Sequence, residues 1–223
     1  MSMRKKPLLT PEEQERIRQA VREAEQRTSG EIVPYIVYQS DDYEVAYWRG
    51  GLLGMLLGMV LASGIYLFYT GWGMAWLHTP WGLMLFLLGL GAVSMGAVHG
   101  IPRLKRWMAG QDNIVEQVHK RAMVAFVEEE VFNTRDRTGI LIFVSLFERW
   151  VEIIGDAGIN AKVSPSDWVA IVQHIRQGLR QGRLADALVE AIRECGELLE
   201  RAGVAIRAED TNELSNRPRL SDT

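Results

Sequence analysis

The chain has 223 residues, a formal net charge of −3 and one cysteine, Cys195. This length accommodates a soluble domain of about 150 residues together with a membrane element. The slight negative charge argues against nucleic-acid binding, and a single thiol excludes an internal disulfide or a cysteine-rich metal site.

The N-terminal region predicts a helix and then a strand, which would be the first part of a soluble α/β domain over residues 1–47. Thr10 precedes Pro11 and lies three residues before Glu13, the pattern of a capped helix start. Residues 32–38 are rich in β-branched and aromatic side chains, so they predict a strand. Pro34 favours an edge position or an irregularity early in the strand, because proline has no N–H for a second neighbour. No apolar core follows the first basic residues, so no secretory signal peptide is predicted.

Residues 48–103 predict a transmembrane helical hairpin, with helices at about 50–69 and 81–99. Neither apolar stretch carries a charged residue. About 20 apolar residues in a helix cross a hydrocarbon core that is roughly 30 Å thick. The alternative is a pair of buried helices in a soluble core, which usually retain a polar face that these stretches lack.

The flanks of the hairpin predict a multi-pass inner-membrane protein with both termini and the soluble domain in the cytoplasm. The loop 70–80 has no lysine or arginine, so by the positive-inside rule it crosses the membrane. The outer flanks contain the basic residues Arg49, Arg103, Lys105 and Arg106. An aromatic belt is indicated by Trp48, Trp72, Trp76, Trp81 and Trp107.

Small residues recur at every fourth position of both apolar stretches. They are Gly50, Gly54, Gly58 and Ala62 in the first stretch and Ala92, Gly96 and Gly100 in the second. Such stripes let helix backbones approach closely. Two alternatives remain open, namely packing within one hairpin and homo-oligomerisation.

Residues 104–208 predict the remainder of the α/β domain. A helix capped by Asp112 would end near Phe132, and the apolar run 139–147 is typical of a strand covered on both faces. A strand at 151–154 would complete a β-hairpin. Helices are expected from Ser164 and from about Leu184, and Cys195 lies in the apolar stripe of the last helix as a core residue. Residues 209–223 predict a polar tail without regular structure.

Few residues in the chain indicate chemistry. The motifs of P-loop NTPases, dinucleotide-binding folds, zinc proteases and serine hydrolases are absent, and the four histidines show no ligand spacing. Carboxylates bracket the predicted strands at Glu31, Glu148, Glu152 and Asp156. Carboxylates at strand ends can bind Ca²⁺ or Mg²⁺ through oxygen; the alternative is a solvated turn.

Residues 138–159, TGILIFVSLFERWVEIIGDAGI, resemble the core of the TPM domain. That family is named for a thylakoid acid phosphatase, a photosystem II protein and a worm receptor modulator. Its pattern is a Thr-Gly turn, an apolar strand that ends in an acidic residue and arginine, a second strand and a Gly-rich loop. The acidic residue and arginine are Glu148 and Arg149 here, and residues 28–33 and 210–214 are similar to other parts of the family. The resemblance covers most of 10–47 and 104–218.

The resemblance implies an α/β/α sandwich, interrupted here by the hairpin, with a cation-binding acidic patch at the strand ends. It also implies phosphatase activity. The usual Gly-Tyr-Gly loop is replaced by residues 155–158, Gly-Asp-Ala-Gly, so no catalytic residue is assigned. The expected ligands of Ca²⁺ or Mg²⁺ are Asp156 and Glu148, followed by Glu31, Glu152 and Asp167.

These features predict a membrane-anchored factor for the assembly or maintenance of a membrane protein complex, such as a respiratory one. The alternative is a metal-dependent phosphatase at the membrane surface, where a bound cation would activate water. Expected partners are the bilayer, another membrane complex and a second copy of the chain through the glycine stripes. A channel is disfavoured, because the spans offer only Ser63, Ser94 and His99 as polar groups.

Overall fold

The computed structural model describes residues 8–68, 72–204 and 213–221, and the chain divides into two compact units. The helical unit is Asp42–Ile114, and the α/β unit combines Met1–Asp41 with Val115–Thr223. The helical unit is longer than the predicted hairpin at 48–103, because its first helix begins at residue 44 and a further short helix follows the second span. The predictions for residues 1–7, 69–71, 205–212 and 222–223 lie outside the described residues.

A four-stranded sheet with the order β3-β2-β1-β4 lies in the α/β unit. β1 (Glu31–Val37) runs parallel to β2 (Gly139–Ser145), and β3 (Trp150–Gly155) returns antiparallel beside β2. Every residue of β1 and β2 is buried. The predicted β-hairpin and the predicted strand with two covered faces are therefore confirmed, although β2 ends two residues earlier than expected.

A fourth strand, β4 (Arg219–Ser221), occupies part of the segment for which the sequence predicted no regular structure. It pairs in parallel with residues 35–37 of β1, so β1 is an interior strand and does not have the edge position that was one of the two alternatives for Pro34. Pro34 is tolerated there because the ladder with β4 begins only at Tyr35. Its missing N–H therefore costs no hydrogen bond on the β4 side.

Three helices cover one face of the sheet: α1 (Pro11–Glu25), α7 (Val169–Arg180) and α8 (Leu184–Arg201). The apolar core that they share with the strands includes Ile17, Val21, Ile36, Ile142, Ile175 and Leu188. Cys195 is fully buried in this core, and burial raises the pKa of its thiol. The prediction that Cys195 is a core residue is therefore confirmed.

Helix α5 (Gln111–Glu128) supplies contacts on the opposite face of the sheet. Arg121 donates from Nη2 to the Tyr35 hydroxyl at 2.9 Å, and the Tyr35 ring stacks on Phe143 of β2 at 5.8 Å. Helices on both faces of one sheet form the α/β/α sandwich that the family resemblance implied. The short helix α6 (Ala157–Asn160) and the 3₁₀ helix Pro165–Trp168 connect β3 to α7.

The helical unit contains α2 (Glu44–Phe68), the 3₁₀ helix Trp72–His78, α3 (Pro80–Gly100) and α4 (Pro102–Ala109). The most apolar windows of α2 and α3 have mean hydropathies of 2.0 and 1.9, and only 17% of each window is buried. Both helices are thus long and apolar enough to cross a membrane, and their side chains are largely exposed.

The small residues of α2 form its contact with α3. A Cβ atom at Gly54 would lie 2.5 Å from Ser94 Cβ, and one at Gly50 would lie 2.5 Å from Val98 Cγ2. The stripe on α3 does not contact α2. A Cβ atom added at Gly96 or Gly100 would have no heavy atom within 4 Å. Packing within the hairpin therefore explains the α2 stripe and leaves the α3 stripe exposed.

Candidate functional site

The five carboxylates that the sequence singles out do not converge on one point. Glu148 lies beyond the carboxyl ends of β1 and β2, whereas Glu31 and Asp156 lie at the opposite end of these strands, on either side of Gly139. β2 alone spans seven residues, or roughly 20 Å at the usual rise of a strand. One cation cannot contact both ends of the sheet, so a single shared ion site is not formed by these residues.

Glu148 is part of a buried polar network in the turn between β2 and β3. Its Oε1 accepts a hydrogen bond from the Ser40 backbone N–H at 2.8 Å, and its Oε2 accepts one from the Ser145 hydroxyl. The Ser40 hydroxyl donates to the Ser145 hydroxyl at 3.0 Å. Because Ser40 follows closely after β1, this network joins the carboxyl ends of β1 and β2. A carboxylate and two hydroxyls are the oxygen ligands that hard cations prefer.

Asp156 has a structural role at the other end of the sheet. Its Oδ1 accepts from the Ala157 N–H at 2.7 Å and so caps the short helix α6. Its Oδ2 lies 2.7 Å from Nε of Arg137, which forms an ion pair with this buried carboxylate. Gly158 allows the loop to approach closely, because a Cβ there would lie 2.3 Å from the Asp136 carbonyl oxygen. These contacts account for the Gly-Asp-Ala-Gly sequence without a ligand.

Glu31 and Glu25 form a carboxyl pair that fastens the C-terminal segment. Glu31 accepts from the backbone N–H groups of Glu213 at 3.0 Å and Leu214 at 3.3 Å, and Glu25 accepts from the Asn216 amide. Burial, followed by the negative charge of Glu31, raises the pKa of Glu25 to about 8. No sequence pattern indicates this pair, since it depends on tertiary contacts with residues almost two hundred positions away.

The two remaining predicted ligands have local partners. Glu152 on β3 places Oε1 2.5 Å from Nδ1 of His119 on α5. Asp167 accepts from the Ser164 backbone N–H at 2.8 Å and from the Ser164 hydroxyl at 2.7 Å, so it completes a capping box. These hydrogen bonds lower the pKa of Asp167. Cation binding at either residue stays a prediction.

A different group of ligand atoms lies between α7 and α8, among the described residues. His174 places Nε2 3.2 Å from Oε2 of Glu190 and Nδ1 3.0 Å from Oε1 of Glu194. The three side chains are close enough to hold a metal ion, and a polar cleft of about 130 Å³ adjoins His174 and Glu190. The i,i+4 spacing of the two glutamates is visible in the sequence. Their proximity to His174 follows only from the packing of α7 on α8.

The chain is similar to known proteins in both sequence and fold. Residues 97–198 match a protein-family model named TPM phosphatase and described as the TPM domain. The NMR structure of the BA42 protein from the psychrophilic bacterium Bizionia argentinensis is similar, with a TM-score of 0.59 and 22% sequence identity. That alignment covers 99% of this chain and 100% of BA42, and it shows a shared fold. No curated protein sequence matches this chain.

Proposed function

We propose that this chain, whose residues 97–198 match the TPM domain model, is a membrane-anchored interaction factor for the assembly or maintenance of a membrane protein complex. An apolar surface on α5 carries the proposal. Met123, Val124 and Val127 are 42, 46 and 58% exposed, on a helix inside the matched family segment. Neighbouring apolar side chains that remain exposed on a folded domain are typical of protein interaction sites.

Two features support the membrane anchor. α2 and α3 expose long apolar surfaces, which are unfavourable in water. On α2, for example, the side chains of Leu52, Leu56 and Val60 are each at least 57% exposed. Basic residues lie at the ends of the hairpin away from the loop, so we infer that the loop crosses the membrane and that the soluble unit is cytoplasmic.

Thiol labelling of Met74→Cys and Gln173→Cys variants in intact cells tests this topology. Labelling of position 173 from outside would contradict it.

Affinity purification in mild detergent, followed by mass spectrometry, tests the interaction proposal. The wild-type chain should recover one membrane complex in stoichiometric amount. The double variant Met123→Ser/Val127→Ser should lose most of that complex, because it removes apolar contact area without altering charge. Val169→Ser is the matched control, since Val169 is 50% exposed on α7. A wild-type chain that purifies alone, or a double variant that recovers the complex unchanged, would contradict the proposal.

We also expect the hairpin to bind a second copy of the chain and form a homo-oligomer. The exposed stripe of α3 at Ala92, Gly96 and Gly100 supports it, because these residues lie outside the contact with α2. Gly96→Ile should lower the dimer fraction in detergent, with Gly64→Ile as the control on α2. A Cβ added at Gly64, like one added at Gly96, would have no heavy atom within 4 Å. An unchanged dimer fraction in Gly96→Ile would argue against association through this stripe.

The alternative function is a metal-dependent phosphatase. It is supported by the network of Glu148, Ser40 and Ser145, which could coordinate Ca²⁺ or Mg²⁺ beside a phosphoester. Phosphate release from a model phosphoester, measured with each cation, tests it. Glu148→Gln should abolish the activity while circular dichroism stays unchanged. Absence of hydrolysis by the wild-type chain with every divalent cation would exclude this alternative.

A further inference from the structure

We propose that α4 is an interfacial helix that binds anionic phospholipid headgroups on the side of the membrane where α3 ends. This inference rests on the proposed membrane crossing of α2 and α3. It adds a lipid class and a binding surface that the membrane anchor alone does not require.

The sequence of α4, PRLKRWMA, separates apolar from basic side chains around a helix. At 100° per residue, Leu104, Trp107 and Met108 project within about 100° of one another, and Arg103 and Arg106 lie on the adjoining side. Trp107 is 71% exposed, so its ring is not used in packing within the protein. An exposed tryptophan beside arginines is typical of a helix in the headgroup layer.

The junction between α3 and α4 separates the two helices at the end of the span. Ile101 has an extended backbone with φ −116° and ψ 99°, and Pro102 begins α4. Proline at the first position of a helix prevents α3 from continuing, because its ring would clash with the preceding turn. α4 is therefore a separate helix that starts where the apolar span ends.

α4 is fixed to the base of α2 by contacts that leave its lipid-facing side open. Arg49 of α2 donates from Nη1 to the carbonyl oxygens of Met108 at 3.0 Å and Ala109 at 3.1 Å, which satisfies the C-terminal end of α4. The Lys105 ammonium lies 5.3 Å from the Tyr47 ring centroid, and Ala109 is fully buried. The helix is thus held in place before any lipid binds.

Charge identifies the occupant of this surface. Residues 101–111 contain three basic side chains, of which Lys105 is buried against Tyr47, and no acidic one. Arg49 adds a further positive charge at α4. Basic clusters next to a membrane span attract anionic lipids electrostatically. The apolar side chains of α4 would at the same time enter the boundary between headgroups and acyl chains. An anionic phospholipid surface meets both requirements.

Spin-labelled lipids measure the headgroup preference of the full chain in phosphatidylcholine vesicles. The wild-type chain should associate with spin-labelled phosphatidylglycerol in preference to spin-labelled phosphatidylcholine. Arg103→Gln/Arg106→Gln should lower this preference by about twofold or more, because two headgroup charges lose their partners. Arg180→Gln/Arg183→Gln is the control with the same charge change on the soluble unit, and it should keep the preference. Equal preference in the wild type and Arg103→Gln/Arg106→Gln would overturn the proposal.

A nitroxide at Trp107→Cys measures the depth of α4 by collision with oxygen and with a water-soluble nickel reagent. The proposal expects a position in the headgroup region; full accessibility to water, or shielding from both reagents by protein, overturns it. Cys195 is buried, so the native thiol is protected from labelling.

Alkaline extraction distinguishes a failure of the proposed membrane anchor from a failure of the proposed interfacial role of α4. A chain released from the membrane refutes the anchor itself, whereas a retained chain with a water-exposed label refutes only the role of α4.

Discussion

The carboxyl groups of Glu25 and Glu31 lie close together where the C-terminal segment contacts α1 and β1. Such a pair is costly when both groups are ionised, because burial removes the water that would screen their repulsion. The raised pKa of Glu25, about 8, means that the folded chain holds a proton that the unfolded chain releases near pH 4.5. The stability of the α/β unit is therefore linked to pH through a residue on α1.

The sign of that linkage gives the first prediction. Between about pH 4.5 and pH 8 the folded state binds the extra proton, so the free energy of unfolding should fall as the pH rises through this window. Glu25→Gln mimics the protonated form and should remove most of this decline, which is roughly 4 kcal/mol between pH 5 and pH 8.5. Thermal unfolding at pH 5 and pH 8.5 measures it, with Glu12→Gln as an exposed control on α1. If the free energy of unfolding of Glu25→Gln fell by the same amount between pH 5 and pH 8.5, the pH dependence would belong to another group.

Gly158, in the short helix α6 after β3, has a steric reason that can be tested. Gly158→Ala places a Cβ 2.3 Å from the Asp136 carbonyl oxygen and 2.8 Å from that of Arg137, so backbone must move. We expect a loss of roughly 2 kcal/mol in the free energy of unfolding. Ala161→Ser, at an exposed position just after α6, is the control. Chemical denaturation measures both variants, and equal stability would mean that the loop relaxes without cost.

At the scale of elements, two helix starts and the apolar strands follow from local sequence. The boundaries of α5 do not, since it begins at Gln111 before the predicted cap Asp112 and ends at Glu128 instead of near Phe132. The capping box of Thr10 and Glu13 and that of Ser164 and Asp167 both form as their spacing predicts. β4 could not be predicted in the same way. It is a three-residue strand in a polar segment, and its partner is fixed by tertiary structure and not by a hydrophobic pattern. The interior position of β1 was missed for the same reason.

The contact between α2 and α3 yields a prediction at this scale. Gly54→Val adds side-chain atoms where even a Cβ would lie 2.9 Å from the Leu90 carbonyl oxygen, so the two helices must separate. Overpacking of this kind costs roughly 1–3 kcal/mol. Gly64→Val is the matched control, because the space around Gly64 is open. Thermal stability in detergent should fall for Gly54→Val alone, and a loss of equal size in both variants would point to helix propensity instead of packing.

At the scale of the whole molecule, the sequence predicts the interrupted architecture but not the geometry of the acidic residues. Hydropathy separates the hairpin from the α/β unit because its two long stretches carry no charged residue, whereas the helices of the α/β unit alternate apolar and polar faces. Glu148 and Asp156 are only eight positions apart, yet β3 carries the chain from one end of the sheet to the other between them. Their separation, like the pairing of His174 with Glu190 and Glu194, depends on three-dimensional packing.

The two-unit organisation predicts that the α/β unit folds without the hairpin. Its core is built from α1, the sheet, α7 and α8, all of which lie outside residues 42–114. A variant in which a long Gly/Ser linker replaces 42–114 should be water-soluble and should unfold cooperatively. Circular dichroism and gel filtration measure this outcome. An insoluble or non-cooperative product would show that the helical segment is needed for folding.

The parallel pairing of β1 with β2 also constrains events during translation. β1 leaves the ribosome roughly a hundred residues before β2, and the hairpin is synthesised in the interval. The buried strand β1 therefore stays without its partner β2 until the two apolar helices have been synthesised. The sheet can close only after both helices have left the ribosome, so the insertion of the hairpin delays the folding of the α/β unit by the time needed to translate it.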